Sequence, residues 1–245
     1  MESVMRIAIW NIGRKAHDVV ADTVTDLQAD VLVIPEIARP LEAADRFGAS
    51  DVCHVGTDET SRLAVFTFGD YRCELDGSVG SDPENDLMWN LPVLISGPVP
   101  FRLLAVWSDN FGNLRPTTKA IECLTSDWVD AGPVVVAGDF NHYRKRDHVR
   151  DNDKDHGLTV ERLAELGLTS AYHRSRGLDE AKDLEEADPT FWMHGHESKP
   201  HHLDYIYAPV GSIRPSPDSV VVGTHAAIPQ KKLSDHAHLV AELDL

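Results

Sequence analysis

The sequence is short of cysteine and of basic residues, and it has no long apolar run. Its three cysteines, Cys53, Cys73 and Cys123, are odd in number and scattered, with no CxxC pair. That pattern suggests neither a disulfide framework nor a zinc site, and leaves core or surface thiols. No apolar stretch reaches membrane-spanning length, so no membrane insertion is expected. The first residues, Met1 to Arg6, lack the basic segment and apolar core of a secretory signal, and a cytoplasmic location is expected. Lys and Arg total 23 against 40 Asp and Glu, a formal charge of -17. So acidic a balance argues against tight nonspecific binding to long duplex nucleic acid, which rests on a basic footprint. A local basic patch or a bound divalent cation can still reverse the field at one cleft. No internal repeat or low-complexity linker interrupts the chain. Its 245 residues are ample for a sizeable core, and residues 1–245 are expected to form one domain.

What is present centres on Val134-Val135-Val136-Ala137-Gly138-Asp139-Phe140-Asn141. The apolar run suits a strand buried on both faces. It ends in Asp139 and Asn141, two positions apart and so on one face. A carboxylate and an amide converging at a sheet edge can bind a metal or grip a phosphate; a plain turn after a strand is the competing reading. Other sheet ends carry matching groups. Arg6 to Gly13 reads as a strand ending in Asn11. His17 to Ala29 has helical spacing, and Val31 to Glu36 is a second buried strand ending in a carboxylate. That βαβ pattern sets Asn11 and Glu36 at the same side of a sheet. Further strands are expected at Arg62 to Phe68, Leu91 to Ile95 and Phe101 to Trp107, and helices at Thr117 to Val129 and Leu158 to Leu166, the last stopped by Gly167. The charged stretch His142 to His156 is either a solvated loop or a guide in which Arg144, Lys145, Arg146 and Arg150 steer a phosphate-bearing substrate. Asp179 to Asp188 reads as an acidic surface loop or short helix. Asp204 opens one late strand, and Asp235-His236 precedes the closing strand Ala237 to Leu243.

The set Trp10-Asn11, Glu36, Gly138-Asp139-Phe140-Asn141, Leu203-Asp204-Tyr205 and Ser234-Asp235-His236 resembles the endonuclease/exonuclease/phosphatase superfamily, whose fold is that of deoxyribonuclease I. The matches run in order along residues 6 to 243. The resemblance implies an α/β four-layer sandwich, with two mixed β-sheets packed face to face and helices outside. It also implies a divalent-metal-dependent phosphoester hydrolase using Mg2+ or Mn2+. By motif, Asn11, Glu36 and Asp235 correspond to the metal group. Asp139 and Asn141 correspond to the residues that handle the attacking water and a phosphate oxygen. His236 corresponds to the residue touching the scissile phosphate, with Asp204 on its other ring nitrogen. Hard oxygens suit magnesium, which takes one or two carboxylates and keeps several waters.

Three positions depart from the pattern. Trp107 stands where relatives carry His or Tyr, His202 where Arg is usual, and His238 where Pro is usual. Trp107 and His202, with Arg144, are the candidate substrate contacts, and Trp107 is expected to wall the cleft and stack on a base or sugar. The substrate stays open among DNA or RNA, a small phosphoester such as a nucleotide, sugar phosphate or phosphoinositide, and, outside enzymes, a noncatalytic binding module on the same fold. No protein partner is implied.

Overall fold

The computed structural model describes residues 4–56, 63–77, 89–108, 118, 121–143, 155–183 and 186–245. Arg144, Lys145, Arg146 and Arg150 lie outside the described residues. In chain order the elements are β1 (Met5–Ile9), α1 (His17–Asp26), β2 (Val31–Pro35), α2 (Pro40–Phe47), β3 (Asp51–Val55), β4 (Leu63–Thr67), β5 (Arg72–Leu75), β6 (Trp89–Ser96), β7 (Phe101–Trp107) and α3 (Ser126–Asp130). They continue with β8 (Val134–Asp139), α4 (Asp155–Glu165), β9 (Leu168–Ser170), α5 (Ala171–Ser175), β10 (Phe191–Trp192), β11 (Pro200–His201), β12 (Asp204–Pro209), β13 (Val220–Val222) and β14 (Leu239–Leu243).

The longer strands form two six-stranded sheets, ordered β13-β14-β1-β2-β4-β3 and β5-β6-β7-β8-β12-β9. Each is mixed: β1–β2 and β7–β8 are parallel and the other pairs antiparallel. The two-residue period of the strands sorts their side chains into three apolar layers. Ile7, Ile9, Val31 and Val33 of one sheet meet Leu103, Ala105, Val135, Ala137 and Ile206 of the other in a central layer. The alternate residues Ala8, Leu32, Ile34 and Phe66 face Val20 and Val24 of α1 and Ala43 and Phe47 of α2. On the far side Leu104, Val106, Val134 and Val136 face Trp128 of α3 and Leu163 of α4. Three apolar interfaces need four layers, so the molecule is the expected four-layer sandwich. Each fully buried Val, Leu or Ile contributes roughly 1.5–3 kcal/mol of apolar burial.

Two segments differ from expectation. The helix expected over Thr117 to Val129 is not continuous: among the described residues Thr118 is helical, a turn follows at Ile121 to Cys123, and α3 starts afresh where Thr125 Oγ1 accepts from the Trp128 backbone N at 3.3 Å. The acidic stretch Asp179 to Asp188 is not simply solvated. Glu180 is 6% exposed and pairs with His156 at 3.2 Å, while the Tyr207 hydroxyl donates to it at 2.7 Å. A buried carboxylate persists only with such partners, and neither histidine nor tyrosine spacing in the sequence announced them.

Candidate active site

Topology brings the polar strand ends to one rim. Parallel pairing puts the C-terminal ends of β1 and β2 together, which delivers Asn11 and Glu36. Because β12 runs antiparallel to β8, its first residue, Asp204, lies opposite Asp139, the last residue of β8. β14 is antiparallel to β1, so His236, just before it, returns to the same rim. Gly138 makes the approach possible: a Cβ there would lie 1.9 Å from the Val106 carbonyl oxygen of β7. Glu36 and Asn141 occupy left-handed backbone, with φ of 52° and 53°. Non-glycine residues rarely hold that conformation, and sites that need a side chain aimed off a strand end are where they do.

Both amide hydrogens of Asn11 are used. Its Nδ2 donates to Glu36 Oε1 at 3.0 Å and to Asp139 Oδ2 at 2.9 Å, while its Oδ1 accepts from Gly13 N at 2.9 Å. Asp139 Oδ1 accepts from Asn141 N at 2.9 Å, and Asn141 Nδ2 donates to the Ser108 carbonyl at 2.8 Å. Across from this group, His236 Nδ1 pairs with Asp204 Oδ2 at 2.9 Å. That fixes the imidazole with Nε2 toward Asp139 Oδ2, 3.9 Å away. The gap is too long for a hydrogen bond and suits an oxygen placed between the two groups. Supporting bonds lock the frame. Ser234 Oγ donates to the Asn11 carbonyl at 2.7 Å and accepts from His236 N at 3.0 Å; Trp10 Nε1 donates to the His236 carbonyl at 3.0 Å. Thr190 Oγ1 accepts from the backbone N of Leu203 and of Asp204 at 2.9 and 3.1 Å.

Burial sets the electrostatics. Asp139 is 1% exposed; desolvation first, then the Asp204 carboxylate, push its carboxyl up to about 7, against His236 and Asn11. Burial alone pushes the His236 imidazole down, but the carboxylates of Asp204 and Asp139 outweigh it and raise the ring to about 10. The site therefore holds a carboxyl that gains and loses a proton near neutrality beside a cationic imidazole. Above it opens a cleft of roughly 730 Å³, lined in part by Lys15, Glu36, Asn141, Phe191, Asp235 and His236. Asn11, Asp139 and Asp204 lie behind that lining, bonded to Glu36, Asn141 and His236. Phe191 was not anticipated from sequence; its ring packs against the His236 ring, with centroids 4.6 Å apart.

The structure thus unites Asn11, Glu36, Asp139, Asn141, Asp204, Asp235 and His236. It treats the three candidate substrate contacts differently. Trp107 is the register partner of Asp139, but its indole packs against the central apolar layer and its Nε1 is enclosed without a hydrogen-bond partner among the described residues. His202 is 2% exposed; its Nδ1 meets the Asp188 carbonyl at 2.7 Å and its ring packs on Tyr172 and Tyr205, away from the cleft lining. Arg144 falls outside the described residues.

Compared with solved structures, the chain has the fold of endonuclease/exonuclease/phosphatase proteins. It aligns with an endonuclease/exonuclease/phosphatase from Bacteroides vulgatus at 17% identity and TM-score 0.71, covering 99% of each chain. It aligns with an AP endonuclease from Archaeoglobus fulgidus at 15% identity and TM-score 0.70, covering 98% of this chain and 100% of that one. A truncated TDP2 from Caenorhabditis elegans aligns at 18% identity and TM-score 0.65, covering 98% and 97%. By sequence alone, no family model and no curated protein matches the chain. No helix among the described residues is long and apolar enough to cross a membrane.

Proposed function

We propose that this protein is a phosphoester hydrolase that uses a divalent cation, magnesium or manganese, and that it acts as a nuclease or related phosphodiesterase by in-line attack of water. The observation that carries the reading is the opposition of Asp139, held by Asn11 and Asn141, to the His236–Asp204 pair across 3.9 Å. Asp139 orients the attacking water and takes its proton, a role that a carboxyl near pH 7 fits. Asn141 donates to a phosphate oxygen. Cationic His236 offers its Nε2 proton to the scissile phosphate and balances the charge that develops there. Asp204 keeps that ring oriented and charged.

The donor set at the mouth suits the cation. Glu36 and Asp235 line one cleft. Asn11 joins them, since it bonds Glu36 and its turn places a Gly13 Cβ position 3.7 Å from Asp235 Oδ1. Asp139, Asp204 and His236 also converge, with ligand atoms within 4.8 Å of one another. We assign the ion to the Glu36 side, because the buried trio is already hydrogen-bonded and magnesium gives up its waters reluctantly. When bound, the cation neutralises phosphate charge and polarises the ester.

The endonuclease activities named for neighbours in the same fold favour a nucleic-acid strand as substrate. The net charge of -17 favours a second reading, a small phosphoester, which the cleft volume also accommodates. A panel of single- and double-stranded DNA, RNA, abasic DNA, nucleotides and phosphoinositides, each with magnesium, manganese or chelator, separates the two. Hydrolysis of polynucleotides supports the first; turnover of the small esters alone replaces it with the second. No metal-dependent hydrolysis of any member would reject both.

A further inference from the structure

Away from the rim, the two sheets also meet along one pair of edges, β3 and β5. Asp51 and Cys53 are two apart on β3 and share a face. Asp51 Oδ2 accepts from the Cys73 backbone N of β5 at 3.3 Å, which ties the two edges at that level. Cys53 is the register partner of Val65 on β4, and the Cys73 thiol donates to the carbonyl of that same Val65 at 3.8 Å. Both cysteines belong to the central apolar layer, with Cys53 8% and Cys73 9% exposed, and the two thiols are neighbours beside Val65. No sequence pattern points to this proximity, because 19 residues intervene and the two cysteines lie on different sheets.

We propose that Cys53 and Cys73 are a redox-active pair that closes to a reversible disulfide, stapling the β3 edge of one sheet to the β5 edge of the other, by exchange with a small disulfide such as oxidised glutathione. Interaction with the neighbouring Cys73 thiol lowers Cys53, in opposition to burial and to Asp51, while the same interaction and burial raise Cys73. Cys53 loses its proton and attacks one sulfur of the small disulfide, forming a mixed disulfide and expelling one thiolate, which takes up a proton. Cys73 then loses its proton and attacks the Cys53 sulfur, forming the internal bond and expelling the second small thiol. Two protein thiols are oxidised, one small disulfide is reduced to two thiols, and protons balance. Cys123 supplies an internal reference: it lies apart, near Asn90, and burial pushes its thiol up to about 11.

The test uses the full chain, reduced and then equilibrated with graded ratios of oxidised to reduced glutathione. Free thiols are trapped with N-ethylmaleimide in denaturant and the chain is mapped by peptide mass. The expected result is a joined pair of peptides containing Cys53 and Cys73, with Cys123 still alkylated. The unfolding midpoint should rise by roughly 5 °C or more on oxidation, as closing a loop of this size does. Cys53→Ala and Cys73→Ala should each abolish the cross-link and the thermal gain, and leave turnover of the reduced protein unchanged. Alkylation of all three cysteines at every ratio overturns the proposal. So does a bridge that includes Cys123, or glutathione left on Cys53 as the end product; the wild-type map decides even if a variant fails to fold.

Discussion

Gly138→Ala is the sharpest perturbation of the scaffold that positions the site. Ordinary contact to a Cβ begins near 3.4 Å, and the new methyl would sit 1.9 Å from the Val106 carbonyl oxygen, so β7 and β8 must part by about 1.5 Å. The obstacle is backbone on a central strand, which cannot rotate aside as a long side chain does. Overpacking of this kind costs about 1–3 kcal/mol or more, which for a chain of this size lowers the unfolding midpoint by roughly 2–12 °C. The next residue is Asp139, and a misplacement near 1 Å at a reacting group costs about a hundredfold in rate. The variant should therefore lose stability and turnover together. Gly77→Ala is the matched control, since a Cβ there meets nothing within 4 Å, and it should change stability by no more than about 0.5 kcal/mol. Differential scanning calorimetry and steady-state hydrolysis read both effects. Equal midpoints for Gly138→Ala, Gly77→Ala and wild type would refute the close approach of β7 and β8 as the device that sets Asp139.

Glu36→Gln should keep the fold but weaken magnesium binding, read by isothermal titration calorimetry; unchanged affinity would remove Glu36 from the cation site. For Asp204→Asn, His236 titration in the metal-free protein, followed by NMR, gives the sign. In wild type the raised imidazole stays protonated through neutrality and loses its proton only near pH 10. The stability it contributes is complete below its ordinary value of 6.5 and is lost as pH rises through about 10. Without the Asp204 carboxylate only Asp139 and Asp235 still oppose burial, so His236 should deprotonate at lower pH than in wild type and turnover at pH 8 should fall more than turnover at pH 6. A wild-type His236 titrating at or below 6.5 would contradict this. Trp107→Ala should cost about 0.5–3 kcal/mol in unfolding free energy, less than a fully buried aromatic because the ring is half-buried, with KM unchanged because the indole packs against the central layer; a raised KM at unchanged stability would place the ring against substrate.

Much of this was readable before any coordinates, and the reasons are local. Val134 to Ala137 is apolar on both faces because a central strand in a sandwich meets apolar layers on both sides, and such a run stands out in sequence. Asn11, Glu36, Asp139 and Asp204 each follow or open such a strand, so their convergence follows from strand direction alone. What stayed hidden depends on partners distant in sequence. Phe191 reaches His236 through an isolated bridge between a two-residue strand and a loop, too short to leave a period. Glu180 looked like one more surface acid until His156 and Tyr207 were found beneath it. His202 and Trp107 were singled out by position in a motif, yet which way a side chain points at a strand end is decided by packing, and both turned toward apolar neighbours.

Turnover by Asp139→Asn, measured beside wild type with magnesium and with chelator, tests the central claim most directly. The substrate is a radiolabelled oligonucleotide or a chromogenic phosphodiester, and circular dichroism checks the fold. The account predicts hydrolysis by wild type that chelator abolishes, and a loss in the variant of about a hundredfold or more with the spectrum unchanged. Hydrolysis that persists in chelator, or a folded Asp139→Asn protein that turns over at the wild-type rate, would contradict it.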